Sequence, residues 1–277
     1  MKNCKITFIG GGNMARSLIG GLISDGFNPD NIHVSDPEPL CLQALTDKYP
    51  INTHSSNIQA AQDCDVLILA VKPQQLQSVV KQLAPEWRSN TLLISIAAGI
   101  RLDDIARWLE QDDVAIVRAM PNTPSLVQAG ATALCANDFV STSQHELSES
   151  ILRSVGLALW VEDEVKMDAV TALSGSGPAY FFLVMEAMEF AATEMGLDPK
   201  TARLLCLQTA FGASKMALES EETTATLRER VTSPGGTTER ALHELEDGGV
   251  RGLFENALVA AALRSRELAN QLGEDDA

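Results

Sequence analysis

Ile6-Thr7-Phe8-Ile9-Gly10-Gly11-Gly12-Asn13-Met14-Ala15 is the stretch that decides the fold. A short apolar run with β-branched and aromatic side chains reads as a strand. The glycines after it satisfy G-x-G-x-x-A, with a helix starting at Asn13. Gly10 permits the tight turn, Gly12 lets backbone approach a pyrophosphate, and Ala15 lets the helix pack close to the strand. Unpaired N–H groups and the dipole of the helix start then hold the anion without a cationic side chain. A glycine-rich turn is by itself a weak signal. Here it follows a strand, opens a helix and stands at the head of an alternating pattern, which places a dinucleotide cradle over Ile9, Gly10, Gly11, Gly12, Asn13 and Met14 ahead of a merely structural turn.

Outward from that segment, β-branched and aliphatic runs continue at Ile32 to Ser35, Val66 to Val71, Leu92 to Ile96, Val114 to Arg118, Ala131 to Cys135 and Leu157 to Val161. Amphipathic helices at Met14 to Asp25 and Pro39 to Lys48 separate the first of them, and this order requires a mostly parallel sheet with helices on its faces. Residues 1–163 are expected to form this α/β domain. Residues 164–277 read as all-helical, over Val165 to Met195, Pro199 to Glu219, Thr224 to Val231, Thr237 to Asp247 and Val250 to Leu272. Ala179 to Met188 and Leu253 to Leu263 are apolar on more than one face, which favours a helix-on-helix dimer over a buried monomer core.

Composition narrows the class further. The 277 residues carry 21 Lys and Arg against 37 Asp and Glu, a formal net charge of −16, and such a surface repels a phosphate backbone. Nucleic acid is excluded as a partner. No apolar run reaches the roughly 18 residues of a membrane span. Cys4, Cys41, Cys64, Cys135 and Cys206 are odd in number, scattered and without a C-x-x-C pair, so neither a disulfide framework nor a zinc site is expected. Four dispersed histidines make no metal cluster. The expectation is a cytoplasmic protein with reduced thiols and no metal.

Asp36 ends the second strand about where an acidic residue grips the ribose 2′-hydroxyl of NAD, and Asp36-Pro37 suits a turn equally well. Ala70-Val71-Lys72-Pro73 follows the end of another buried strand, the edge where ligands of such sheets collect. Lys72 is either a phosphate or nicotinamide contact or a solvated lysine. The turn Thr232-Ser233-Pro234-Gly235-Gly236-Thr237-Thr238 runs into a helix and offers N–H groups and hydroxyls to one anion. Two glycines and four hydroxyl residues exceed what helix capping needs.

That turn, Ser95-Ile96-Ala97-Ala98-Gly99, Arg118-Ala119-Met120-Pro121-Asn122-Thr123-Pro124 and Ser174-Gly175-Ser176-Gly177-Pro178-Ala179-Tyr180 together resemble pyrroline-5-carboxylate reductase, in family order and spacing from Ile6 to about Leu268. The resemblance implies a Rossmann-like NAD(P)-binding domain, an all-helical dimerisation domain and, in many members, a ring of dimers. It implies reduction of 1-pyrroline-5-carboxylate to L-proline, the last step of proline biosynthesis. Ala97 and Asn122 are placed beside the cofactor, and Ser35 and Asn57 near the adenosine ribose or its 2′-phosphate. Ser233, Gly235, Gly236, Thr237 and Thr238 are placed on the substrate, with the Thr238 hydroxyl beside the ring nitrogen. Glu221 matches a position near the substrate amine, though its run Glu219-Ser220-Glu221-Glu222 also reads as a solvated face. NADPH-preferring members often carry an Arg shortly after the serine, and Ser35 to Leu42 has none. The resemblance implies NADP(H) as the cofactor, while the missing Arg and Asp36 keep NAD(H) as the alternative. Related hydroxyacid dehydrogenases use a lysine where this chain has Phe181, so an alcohol-oxidising reading loses its proton carrier. A cyclic imine already protonated on nitrogen needs none.

Overall fold

The computed structural model describes residues 4–88 and 90–274. Among them eight strands form one sheet: β1 (Ile6–Ile9), β2 (Ile32–Ser35), β3 (Asn52–His54), β4 (Val66–Leu69), β5 (Leu92–Ser95), β6 (Ile116–Met120), β7 (Gly130–Ala136) and β8 (Gly156–Trp160). Their spatial order is β3-β2-β1-β4-β5-β6-β7-β8, parallel except for the antiparallel β6–β7 pair. The strands expected from the sequence are present with small shifts at their ends; Val114 to Arg118, for example, is found at Ile116–Met120. Asn52–His54 was not expected. It is polar and pairs only with β2 at the sheet edge, so it carries no apolar signature.

Both faces of the sheet are buried along β1, β4, β5 and β6, as the continuous apolar runs require. Ile6, Phe8, Val66, Ile68, Leu92 and Ile94 face one layer with Leu18, Ile19 and Leu22 of α1 (Asn13–Ser24). Ile9, Leu67, Leu69 and Leu93 face the other. Further helices α2 (Pro39–Thr46), α3 (Asn57–Ala61), α4 (Pro73–Leu83), α5 (Leu102–Leu109) and α6 (Thr142–Arg153) connect the strands. Leu76 and Val80 of α4 and Trp108 of α5 fill the second layer. A fully buried aliphatic side chain contributes about 1.5–3 kcal/mol.

The chain divides into two compact units. The first runs to Ser176 and takes in the chain from Ala260 onward, and the second is Gly177–Val259. After β8 come a 3-10 turn at Glu164–Lys166, α7 (Met167–Val170) and a π-helical turn at Thr171–Gly175. Then follow α8 (Gly177–Glu194), α9 (Pro199–Glu219), α10 (Thr224–Arg230), α11 (Thr237–Asp247) and α12 (Val250–Gly273). The single helix expected over Val165 to Met195 is thus interrupted. Pro178 has no N–H for a continuing helical bond. Gly175 also admits Met120 where a Cβ would lie 2.5 Å from the methionine methyl.

Beside the edge strand, His33 Nδ1 and His54 Nε2 lie 2.9 Å apart, with the rings stacked. Burial, then the charges of Lys5 and His54, lower His33 from 6.5 to about 4; burial and Lys5 also lower His54. The unfolded chain therefore protonates His33 near pH 6.5 and the folded chain only near 4, so the stabilisation is complete above pH 6.5 and is lost as pH falls toward 4, with the lowered His54 adding to it in the same direction. Thermal melts of wild type and His33→Gln across that window should show a shallower loss in the variant. Equal slopes would show that the pair does not couple protons to folding.

Candidate active site

The register of the first unit sets the carboxyl ends of three strands side by side, with Ile9 paired to Ser35 on one flank and to Leu69 on the other. Sequence neighbours of β1 lie on one side and β4 on the other, so the chain reverses direction around the sheet here. A crevice at such a point is where open α/β sheets bind ligands. Gly10 donates its N–H to Ser35 O at 2.7 Å, and Ala70 N–H donates to Ile9 O at 2.8 Å. These bonds fix the glycine loop against Ala70-Val71.

The two motif glycines serve different needs. Gly10 has φ +101°, and a Cβ there would stand 2.7 Å from Ala70 O, so the fold itself demands glycine. Gly10→Ala should cost about 3 kcal/mol or more from strain and overpacking together, read as a lowered denaturation midpoint. A midpoint within error of wild type would rule out both contacts as constraints. Gly12 has φ −66° and ψ −174°, open to any residue, and nothing lies within 4 Å of its Cβ position. It caps α1, whose first-turn N–H groups have no intrahelical acceptors. Open space beside orphan donors is what a pyrophosphate requires, so these residues fit a dinucleotide.

Asp36 takes the turn role and a second one. Its Oδ1 accepts Glu38 N–H at 2.9 Å and its Oδ2 accepts Gly11 N–H at 2.8 Å. Ser35 Oγ donates to Asn57 Oδ1 at 2.8 Å, and Asn57 Nδ2 donates to Gln82 Oε1 at 3.0 Å. Ser35, Asn57, Gly10 and Val71 line a cavity of about 410 Å³, together with Gln75 and Gln82 from one face of α4. Sequence reasoning missed the α4 contribution, which follows from Pro73 starting a helix at the crevice. Lys72 is the exposed N-cap of α4. Also missed was Arg16, which bonds Gly11 O through Nε at 3.2 Å and Cys41 Sγ at 3.4 Å.

Further along the same sheet edge, Ala97 is buried, and its N–H donates to Ser95 Oγ. Asn122 follows β6 and its amide is engaged: Nδ2 donates to Ser174 O at 3.1 Å and reaches Ser174 Oγ at 3.3 Å, while Oδ1 accepts Ala131 N–H at 2.9 Å. Its side chain ties the Met120-Pro121-Asn122 turn to the π-helical turn. What remains on this turn for a ligand is backbone.

In the second unit, Ser233 to Thr238 form a turn leading into α11. Gly235 has φ +70°. Gly236 N–H is spent on Ser233 O at 2.9 Å, and Gly235 N–H on Glu239 Oε2 at 2.8 Å. Glu239, not singled out beforehand, occupies the third helical position, where an acid closes back on the preceding turn. The glycines thus shape the turn, and the donors left for an anion are the first-turn N–H groups of Thr237 and Thr238 with their hydroxyls. Thr238 is exposed. Glu221 lies in the same unit and is exposed, while its neighbour Glu222 pairs with Arg230 at 2.8 Å.

The pyrroline-5-carboxylate reductase of Pseudomonas aeruginosa is 49% identical over 274 residues, 99% of this chain and 100% of that protein. The chain belongs to the pyrroline-5-carboxylate reductase family. The family model described as pyrroline-5-carboxylate reductase dimerisation matches residues 164–268, and one described as NADP oxidoreductase, coenzyme F420-dependent, matches residues 5–99. Among solved structures, the pyrroline-5-carboxylate reductase of Coxiella burnetii superposes with a TM-score of 0.91 at 48% identity, covering 96% of this chain and 98% of that one. The Plasmodium falciparum pyrroline carboxylate reductase, with NADP bound, gives 0.86 at 31% identity over 97% and 99%. The glycine loop and the Ser233 to Thr238 turn therefore lie in a chain that members of this family match along nearly its whole length. Among the described residues no helix is long and apolar enough to cross a membrane.

Proposed function

We propose that this chain reduces the C=N bond of 1-pyrroline-5-carboxylate with NAD(P)H, giving L-proline. The observation that carries the reading is the match to reductases of that name over 99% of the chain, with an open Gly12 at the helix start where a pyrophosphate belongs. Ile9 to Met14 hold the pyrophosphate, Ser35 and Asn57 the adenosine side, and the backbone of Ala70 to Pro73, Ala97 and Asn122 the nicotinamide side. When bound, the dihydronicotinamide supplies a hydride. The N–H groups of Thr237 and Thr238, with the Ser233 hydroxyl, hold the substrate carboxylate. The Thr238 hydroxyl lies against the ring nitrogen, which enters already protonated, so hydride addition to the carbon leaves a neutral secondary amine. Phe181 brings no proton donor, consistent with an imine in place of a ketone. Positioning and electrostatics supply the catalysis.

A homodimer through the helical part completes the reading. Phe181, Phe182, Leu183 and Val184 are 64%, 62%, 65% and 41% exposed, and four successive helical residues turn through most of a circle. Apolar surface on so many sides of α8 is unstable in water, and a second copy, in turn joined into a ring of dimers, is its natural cover. With five free cysteines, a cytoplasmic location fits.

The deciding assay follows oxidation of NADH and of NADPH with and without 1-pyrroline-5-carboxylate and identifies the product. Substrate-dependent oxidation yielding proline is expected. A folded protein that oxidises neither cofactor would overturn the reading in favour of another imine or a silent dinucleotide-binding protein.

A further inference from the structure

Building on the dinucleotide reading above, we infer that Asp36 makes this chain select NADH over NADPH. Gly11 N–H holds Oδ2 at 2.8 Å and Glu38 N–H holds Oδ1 at 2.9 Å, which fixes the carboxylate at the end of β2, one residue beyond Ser35. Each oxygen retains a lone pair for another donor. A ribose 2′-hydroxyl is such a donor; a 2′-phosphate carries close to two negative charges at neutral pH and meets the carboxylate as a like charge.

The adjoining cavity offers that phosphate no compensation. Its lining residues include Ser35, Ser55, Ser56, Asn57, Gln75 and Gln82, and no lysine or arginine lines it among the described residues. Two of its donors are committed within the protein, Ser35 Oγ to Asn57 Oδ1 and Asn57 Nδ2 to Gln82 Oε1. Neutral hydroxyls and amides suit a sugar with free hydroxyls, whereas a phosphate monoester is normally met by arginine or lysine. The cation held against the loop, Arg16, points its Nε at Gly11 O and one terminal nitrogen at Cys41 Sγ. It therefore braces the carbonyl side of the residue whose N–H Asp36 holds.

The test measures dissociation constants of NADH and NADPH for the full chain without substrate, by titrating the fluorescence of the reduced nicotinamide. Wild type should bind NADH about 10-fold more tightly, the size expected of one partly exposed like-charge contact. Asp36→Asn, which keeps an acceptor and loses the charge, should bring the two constants together mainly by tightening NADPH. Asp36→Ser provides the same reading if the amide disturbs the turn. Arg16→Gln should leave the ratio near its wild-type value. Tighter NADPH binding by wild type, or a ratio unmoved in both folded Asp36 variants, would overturn the assignment. So would loss of NADPH affinity alone in Arg16→Gln, because Arg16 would then be the phosphate's partner. Binding of neither nucleotide would remove the dinucleotide reading itself and this inference with it, whereas failure of the selectivity alone leaves that reading intact.

Discussion

Gly12→Val should give a folded protein that has lost at least about 100-fold in affinity for NADH and NADPH alike, or roughly 2.7 kcal/mol. The two effects separate because the fold makes no use of the missing side chain. The backbone of Gly12 is ordinary for any residue, and its Cβ would meet nothing within 4 Å. The variant exchanges a good N-cap for a poor one, a cost of about 1 kcal/mol. Yet the branched side chain fills the space through which a pyrophosphate reaches the first N–H groups of α1. The contrast with Gly10 sharpens the point: there the Cβ meets Ala70 O at 2.7 Å, so substitution damages the protein before it can report on the ligand. A nucleotide titration beside a thermal melt decides the matter. Retained affinity in folded Gly12→Val would put the pyrophosphate elsewhere.

The difference between these glycines also marks how far sequence alone reached. The strand, loop and helix from Ile6 to Ala15 were legible because burial on both sheet faces leaves continuous apolar runs, and the close approach at a helix start leaves glycines at fixed offsets. β3 was not legible: Asn52, Thr53 and His54 cover an edge where nothing demands apolar side chains. The break within Val165 to Met195 was only partly legible: Pro178 is a local signal for it, while the packing of Met120 against Gly175 is a contact distant in sequence. Around the site, the spacing of Asp36 announced its neighbourhood but not its bonds. Those to Gly11 and Glu38 depend on how the ends of β1 and β2 align. Asn122 was legible as part of a motif, whereas its engagement by Ser174 and Ala131 required the tertiary structure. Glu239 had a local signature, an acid at the third helical position after a glycine turn, and it accounts for a donor that otherwise would have been assigned to the substrate.

That reassignment concentrates the chemistry proposed for the second unit on Thr238. With Gly235 and Gly236 N–H groups committed to Glu239 and Ser233, the remaining groups are the N–H donors and hydroxyls at the start of α11, and Thr238 is the one whose hydroxyl the family resemblance sets beside the ring nitrogen. Thr238→Ala should lower kcat/KM for 1-pyrroline-5-carboxylate about 100-fold, the loss of roughly 2.7 kcal/mol of transition-state stabilisation. Thr238 is exposed at the second position of α11, and alanine is at least as good a helix former, so stability should change by less than about 0.5 kcal/mol. Dissociation constants for NADH and NADPH should stay at wild-type values, because the dinucleotide is assigned to other residues. Thr238→Ser, which retains the hydroxyl, should recover most of the rate. Full kcat/KM in a folded Thr238→Ala protein would take the hydroxyl out of the reaction and leave positioning to the backbone N–H groups of the helix start. A loss that Thr238→Ser fails to repair would instead assign the effect to the methyl group and its packing on the substrate.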